Sequence, residues 1–432
     1  MIYKFLPWLR SRELLLSRIS LDLILFFIVG FYFNFLSEFY ILLYWILTGY
    51  ILGRYHSIYA HKKRAIFQQL FYTIGTSLIT VISLLIMKFI SYKLFGSDNF
   101  DFLFLKYYIF MSFLIQSLFI FINFKLNTDK EKWILISNQE LFHKIKSEIN
   151  ISKKISLINV NNINEINELK LKEYEGLIYS DQISKSFLMD KKILGSNLRI
   201  IYFLDWVEDY FQLLPSNLIS NQNLLFIHNV FPRVITELRL KRIGDILLSA
   251  LLIIIFLPVI SLSGLLIYLE DKGPIFYSQL RTGQFNKTIK IYKLRTMKTN
   301  AEEFGAKWAS KKDNRITKVG FFLRKLRIDE LPQLWNVFNG EMSLIGPRPE
   351  RPEFDQDLIE KIPHYSLRLK MKPGLSGWAQ VNYPYGSSVK DAYNKLSYDI
   401  YYLKNFSFLL DLLILFKTIR MVALARGSDP ST

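Results

Sequence analysis

Four apolar runs dominate the first 125 residues, from about Leu21 to Leu36, Phe39 to Leu52, Phe71 to Ile90 and Phe102 to Phe124. A bilayer asks for about 20 helical residues; the first two runs fall short but can be extended by their flanks. No small-residue cleavage site follows the first run, so it reads as an anchor and not as a removed leader. Beyond residue 127 the pattern changes. Short apolar runs (Trp133 to Ile136, Ile155 to Val160, Leu177 to Tyr179, Leu198 to Leu204, Leu224 to Ile227) alternate with polar, helix-compatible stretches such as Gln139 to Ile149. That alternation predicts a small parallel βα domain. Its first strand leads into Ser137-Asn138-Gln139, without the glycine that a dinucleotide pyrophosphate needs, so a structural or regulatory module without cofactor is expected. A fifth apolar run, Ile246 to Leu269, carries Pro258 at its centre, where the sequence predicts a broken helix.

Charge then orients the chain. Lys4, Arg10, Arg12 and Arg18 precede the first run, and Arg54, Lys62, Lys63 and Arg64 separate the second from the third; the other two turns are poor in Lys and Arg. Four spans with both ends in the cytoplasm satisfy the positive-inside rule. With no paired charges evident inside the spans, the bundle reads as an anchor. The fifth run has basic residues at both ends (Lys241 and Arg242, then Lys272 and Arg281), so a hairpin that enters and leaves on one side avoids exporting either group. Asp245 reads as the start of that helix.

Composition narrows the chemistry. The chain is 432 residues, 51% hydrophobic and only 21% charged, too apolar for an ordinary soluble enzyme. It has no cysteine, which excludes disulfides, thiolate metal sites and Cys nucleophiles. Its net charge of +18 favours anionic partners. Residues 281–327 hold fourteen Lys or Arg against three acids, yet no nucleic-acid-binding motif occurs there, so nucleic acid is not an expected partner. Phosphates of membrane lipid or of a nucleotide-type substrate suit the charge better.

The stretch Asp329-Glu330-Leu331-Pro332 places a carboxylate pair where Pro332 predicts a first helical turn, with Asp329 near the N-cap. One carboxylate can attack phosphorus while the other holds a divalent cation. Gly346-Pro347-Arg348-Pro349-Glu350-Arg351-Pro352 is a rigid loop that presents Arg348 and Arg351 for phosphate recognition. Lys372 to Asn382 is a second Gly/Pro loop, in which Trp378, Gln380 and Asn382 can read a base or sugar.

The chain resembles the bacterial sugar transferases, the monotopic phosphoglycosyl transferases. The residues that carry the likeness are Lys241-Arg-Ile-Gly-Asp245, Gly273-Pro-Ile-Phe-Tyr-Ser-Gln279, Ile291-Tyr-Lys-Leu-Arg-Thr-Met297, Asp329 to Asn336, Met342 to Pro349, Pro373 to Gln380 and Tyr398 to Lys404. The whole layout is similar to the large undecaprenyl-phosphate galactose or glucose phosphotransferase type. The resemblance implies an α-helical membrane protein with α/β parts: a four-helix transmembrane bundle (1–126), a Rossmann-like cytoplasmic domain (127–239), and a mainly α catalytic domain (240–432) on a re-entrant helix at about 246–269, kinked at Pro258.

It further implies transfer of a sugar-1-phosphate from a UDP-sugar to undecaprenyl phosphate with release of UMP. That would be the first membrane step of exopolysaccharide, capsule or O-antigen synthesis, at the cytoplasmic face of the bacterial inner membrane. Asp329 would be the nucleophile and Glu330 the Mg²⁺ ligand. Arg324, Arg348, Arg351, Lys293, Arg295 and Gln380 would bind phosphate or substrate. Leu257 departs from the serine many members have before the kink proline. A homodimer is compatible with four anchoring spans, and the alternative to an enzyme is an idle scaffold for polysaccharide assembly.

Overall fold

The computed structural model describes residues 12–32, 39–52, 54–55, 73–86, 102–126, 131–149, 155–160, 170–180, 198–219, 235–299, 315–384, 386 and 388–424. The expected run at 224–227 lies outside them. The fold is mostly helical with some parallel sheet, and the chain divides into two compact units.

The first unit (1–138, 151–177 and 182–200) begins with four helices, α1 (Glu13–Tyr32), α2 (Phe39–Leu52), α3 (Thr73–Ile86) and α4 (Phe102–Leu126). They coincide with the four apolar runs. Of these, α1 is long and apolar enough over Leu15–Tyr32 to cross a membrane by length and composition, while α2 and α3 are shorter apolar helices. Phe26 packs edge-on against Tyr108, and Tyr108 against Trp45, in a core with Leu25 and Leu42. Outward-facing Ile28, Leu43, Leu78 and Leu118 are all more than half exposed. An apolar exterior of this kind needs a cover other than water.

The interior of these helices is not the charge-free anchor that the sequence suggests. Asp22 is fully buried and accepts hydrogen bonds from Tyr55 Oη (2.5 Å), Trp45 Nε1 (3.2 Å), Ser112 Oγ (2.7 Å) and Gln116 Nε2 (3.1 Å). Arg18 and Arg54 are buried beside it. Arg18 and Asp22 lie one helical turn apart, and Arg54 comes from another element, so the apolar spacing that reveals a helix hides this pairing.

After the helices come strands β1 (Glu131–Ile136), β2 (Ile155–Val160), β3 (Gly176–Tyr179) and β4 (Arg199–Tyr202). They form a sheet in the order β2-β1-β3-β4, with β1 and β2 parallel from Glu131↔Ile155 to Ile136↔Val160. The strands lie where the alternation places them, except that Phe203 and Leu204 already belong to a helix.

The second unit comprises 139–150, 178–181 and 201–432. It includes α5 (Gln139–Glu148) and α6 (Phe203–Phe211), then the 37-residue α7 (Ile235–Asp271). At 1.5 Å per residue α7 runs to about 55 Å. Two expectations are corrected here. The helix begins ten residues before Asp245, which is buried three turns inside it. It also continues through Pro258 without interruption, so the proline does not divide it into two helices. Side chains from Leu247 to Leu269 are largely exposed, Ile254 at 72%.

The rest of the unit positions the site. An antiparallel hairpin, β5 (Phe276–Thr282) and β6 (Thr288–Leu294), precedes α8 (Lys318–Lys325). A 3₁₀ turn (Ile328–Gln333) and α9 (Leu334–Asn339) follow. Two three-residue parallel strands come next, β7 (Ser343–Ile345) and β8 (Gly374–Ser376), with α10 (Pro352–Lys361) and the 3₁₀ turn Tyr365–Lys370 between them. Helices α11 (Trp378–Asn382), α12 (Val389–Lys404) and α13 (Phe408–Ala423) close the chain.

Both ends of α7 are fastened within this unit. Near its start, Lys241 Nζ donates to Ile345 O (2.7 Å) and pairs with Asp411 (2.6 Å), while Asp245 accepts from Leu344 N (2.9 Å). At its end, Glu270 accepts from Lys318 N (2.8 Å), and Ile267 packs with Leu294 and Leu323.

Candidate active site

Thr317 caps α8 by accepting from Gly320 N (2.9 Å), and α8 runs out at Leu326. Arg327 then adopts a left-handed backbone (φ 54°), which reverses the chain into the 3₁₀ turn that carries Asp329 and Glu330. Asp329 is therefore inside a 3₁₀ turn and is not the N-cap of an α-helix; Pro332 falls within the same turn and α9 starts only at Leu334. At three residues per turn, neighbouring carboxylates diverge by about 120°. The two acids consequently meet different surroundings.

Glu330 is enclosed by cations. Its Oε1 accepts from Arg348 Nη2 (2.7 Å) and Lys293 Nζ (3.1 Å), and Arg327 Nη1 lies 3.7 Å from Oε2. Burial pushes its pKa up, but Arg348, Lys293 and Arg327 hold it well below the usual carboxylate range. Asp329 is only 8% exposed and makes no hydrogen bond or ion pair with the described residues. Burial, then the charge of Glu330, push its pKa up to about 6, against the opposing pull of Lys293, Arg324 and Arg348. One acid is thus fixed as a carboxylate, and its neighbour is an unpaired carboxyl that ionises near neutrality.

The structure sorts the other candidates. Lys293 on β6 and Arg348 reach the dyad directly, and Arg324 acts on Asp329 while its Nε donates to Thr296 Oγ1 (2.8 Å). Arg295 does something else: buried at the end of β6, it grips Asp271 with both terminal nitrogens and donates to Pro274 O (2.6 Å), fastening the end of α7. Arg351 stands at the N-cap of α10, where its charge acts on Arg281. Gln380 turns back to donate to Leu375 O (3.1 Å). Trp378 is 1% exposed, stacked on Tyr401 with its indole N–H on Gln212 O (3.0 Å), so it presents no reading face.

Arg327, read from the sequence only as part of the basic run beside the dyad, aims the dyad through its left-handed turn, and Arg368 lies in none of the quoted motifs. Arg368 donates to Asp399 Oδ2 (3.0 Å), Tyr365 Oη (2.9 Å) and the carbonyl of Arg348 (2.7 Å), with Asp355 at 3.6 Å. Burial would lower its pKa, but Tyr365, Asp399 and Asp355 raise it above its ordinary value, so it stays charged. It is a fork that sets the backbone of the arginine loop. A small cleft opens beside that loop, lined by Thr282, Gly283, Arg348, Glu350, Arg368 and Met371 among others. It shares Arg348 with the dyad.

The loop leaves β7 at Gly346, where a Cβ would stand 2.4 Å from Lys372 O and 2.9 Å from Gly374 N. Those are backbone atoms that cannot rotate away. Gly346→Ala is expected to destabilise the unit by about 2 kcal/mol or more, a fall of several degrees in Tm. An unchanged melting curve would show that β7 and β8 are not held this close.

A model of the bacterial sugar transferase family matches residues 236–425, the stretch that holds every residue of this site. Among its relatives is the UDP-N-acetylgalactosamine-undecaprenyl-phosphate N-acetylgalactosaminephosphotransferase of Aeromonas hydrophila, 47% identical over 189 residues. The match covers 44% of this chain and 45% of that one. The UDP-glucose:undecaprenyl-phosphate glucose-1-phosphate transferase of Caulobacter vibrioides is 40% identical over 190 residues, 44% of this chain and 71% of its own. The exopolysaccharide production protein PSS of Rhizobium leguminosarum is 37% identical over 197 residues, 44% of this chain and 98% of its own. The chain belongs to the bacterial sugar transferase family. It spans less than half the length of the Aeromonas relative, so the likeness rests on the transferase module. In this bacterial sugar transferase the shared module contains the dyad, the arginine loop and nearly all of α7.

Proposed function

We propose that the chain transfers a sugar-1-phosphate from a UDP-sugar to undecaprenyl phosphate and releases UMP. The observation that carries this is the asymmetry of the dyad: a buried, unpaired Asp329 beside a Glu330 surrounded by Lys293, Arg327 and Arg348. Asp329 attacks the sugar-bearing phosphorus, the bond from that phosphorus to the bridging oxygen breaks, and UMP leaves with the oxygen. An oxygen of undecaprenyl phosphate then attacks the same phosphorus and releases the Asp329 carboxylate. Arg348 and Lys293, with Arg324 close by, offset charge on the transferring group. Inside the cluster Glu330 keeps those cations in place.

Mg²⁺ belongs to this reading. Among the described residues no three Asp, Glu or His side chains gather into a metal cage. Glu330 is the carboxylate that would hold it, by exchanging contacts with Arg348 and Lys293 for the cation, with phosphate oxygens and water completing the shell. When bound it would offset charge on the diphosphate.

Membrane placement follows the same logic. A spanning α7 would put Lys241 and Asp271 on opposite sides of about 30 Å of hydrocarbon, yet one unit holds both ends. This supports a re-entrant α7 that stays one helix but bends at Pro258, and so enters and leaves on the cytoplasmic side of the inner membrane. Helices α1–α4 would form the four-span bundle and the β1–β4 sheet a Rossmann-like insert, and the chain would work as a homodimer. The idle-scaffold alternative would leave a perturbed, unpaired Asp329 without a purpose.

The test is UMP release by the purified full chain with Mg²⁺, undecaprenyl phosphate and a donor panel that includes UDP-N-acetylgalactosamine and UDP-glucose. UMP from one donor is expected; UDP in its place would overturn the mechanism. The pH profile provides a second check. Asp329 must be ionised to attack, and Glu330 is ionised throughout, so kcat/KM should fall about tenfold per unit below about pH 6, with one acid limb. A limb near pH 4 would contradict a nucleophile perturbed by burial.

A further inference from the structure

The buried charges inside the α1–α4 bundle do not balance. Among the described residues Arg18, Arg54 and Asp22 share this interior, all at most 1% exposed, and they sum to one positive charge. Asp22 carries one charge against two, and its oxygens already accept from Tyr55, Trp45, Ser112 and Gln116. Arg54 folds back over Trp45, 3.6 Å above its ring, and donates to Thr80 Oγ1 (3.0 Å) and Trp45 O (3.5 Å), leaving its Nε without a partner among the described residues. Arg18 is less satisfied still: Nε donates to Gln116 Oε1 (2.7 Å), while Nη1 and Nη2 are buried with no acceptor among the described residues. The two guanidinium carbons each lie 5.9 Å from the ring centre of Tyr55, so both guanidinium groups border the same ring.

In hydrocarbon an unpaired guanidinium is costly, and such residues mark ligand positions more often than structural ones. The open fork of Arg18 and the Nε–H of Arg54 beside the same ring, with a net positive charge, fit a tetrahedral oxyanion. Depth selects its source. Arg18 lies in the second turn of α1, about 8 Å from the helix start, and Arg54 directly follows α2; this is the end of the bundle whose flanks are rich in Lys and Arg. Lipid phosphates lie at that level and meet basic flanks there.

We propose that Arg18 and Arg54 form an oxyanion site in the bundle that takes the phosphate of one anionic lipid headgroup. The proposal rests on the bundle lying in a membrane and is independent of the dyad chemistry.

The full chain, purified in a phosphorus-free detergent and washed extensively, should retain about one lipid phosphate per chain more than Arg18→Gln does. Because Arg18→Gln leaves the dyad site intact, the difference between the two proteins counts only the lipid at this site, apart from any acceptor in the dyad site. Equal retention by Arg18→Gln and wild type would overturn the site. Should Arg18→Gln not fold, the wild type decides alone. After stripping, phosphatidylglycerol should raise its Tm by about 5 °C over phosphatidylcholine. No difference between the two lipids would overturn the proposal. Inorganic phosphate giving the same rise would show a free-anion site and overturn the lipid assignment.

Discussion

Asp329→Asn is expected to abolish UMP release, by at least about 10³-fold in kcat/KM, and at the same time to make the protein harder to unfold. Both effects have one cause. Burial and the charge of Glu330 raise the Asp329 pKa to about 6, so the ionised carboxylate that the proposed attack requires is also the form the fold resists. The sign follows from proton linkage. Between about pH 4 and 6 the native state binds more protons than the unfolded chain, so stability falls as pH rises through that window and stays lower above it. The neutral amide removes that cost, a gain of about 1–3 kcal/mol at pH 7, and with it the pH 4–6 slope. Melting curves at pH 4.5 and 7 for both proteins, beside the UMP assay, read the two effects separately. A variant that is inactive but less stable at pH 7 would mean that Asp329 is supported by its neighbours, contrary to the geometry.

Arg368→Ala should be the most destabilising single change in the catalytic unit, by about 3–5 kcal/mol. Its side chain is 6% exposed, and Asp355 and Asp399 each 1%, so truncation strands two buried carboxylates with no water to replace the fork. The same change removes the N–H that holds the carbonyl of Arg348, and a loop displaced by about 1 Å at a reacting phosphate costs on the order of 10²-fold in rate. Arg368→Lys keeps the charge but not the fork, and should fall between the two. Thermal melting with kcat/KM for the three proteins tests this; a loss below about 1 kcal/mol in Arg368→Ala would show that the acids find other partners.

Some of this was legible one residue at a time. The four apolar runs became α1–α4, and the strands β1–β3 lie at the predicted runs, because a 3.6- or 2-residue period is a local property. The carboxylate pair and the arginine loop stood out by residue type and spacing, and Lys293, Arg324 and Arg348 do gather at the dyad. Arg295 shows the limit. Two positions from Lys293, just past the end of the same strand, it nevertheless serves the end of α7, since its partner Asp271 is set by packing and not by neighbours in sequence. Gln380 and Trp378 looked like substrate readers because their loop is rich in Gly and Pro, and the structure turns both onto their own backbone surroundings.

What the sequence determined by itself was therefore the inventory: apolar helices, a small βα sheet, a basic half, and a short list of groups able to handle phosphate. What only the tertiary structure decided was which charges face each other across long stretches of chain. Glu330 met Arg348 and Lys293, Arg368 met Asp399, and Arg18 and Arg54 were shut in among apolar helices around Asp22. The physical reason is that periodicity reports which side of an element is buried, whereas the ionisation and pairing of a buried charge depend on groups brought within a few ångströms by the fold.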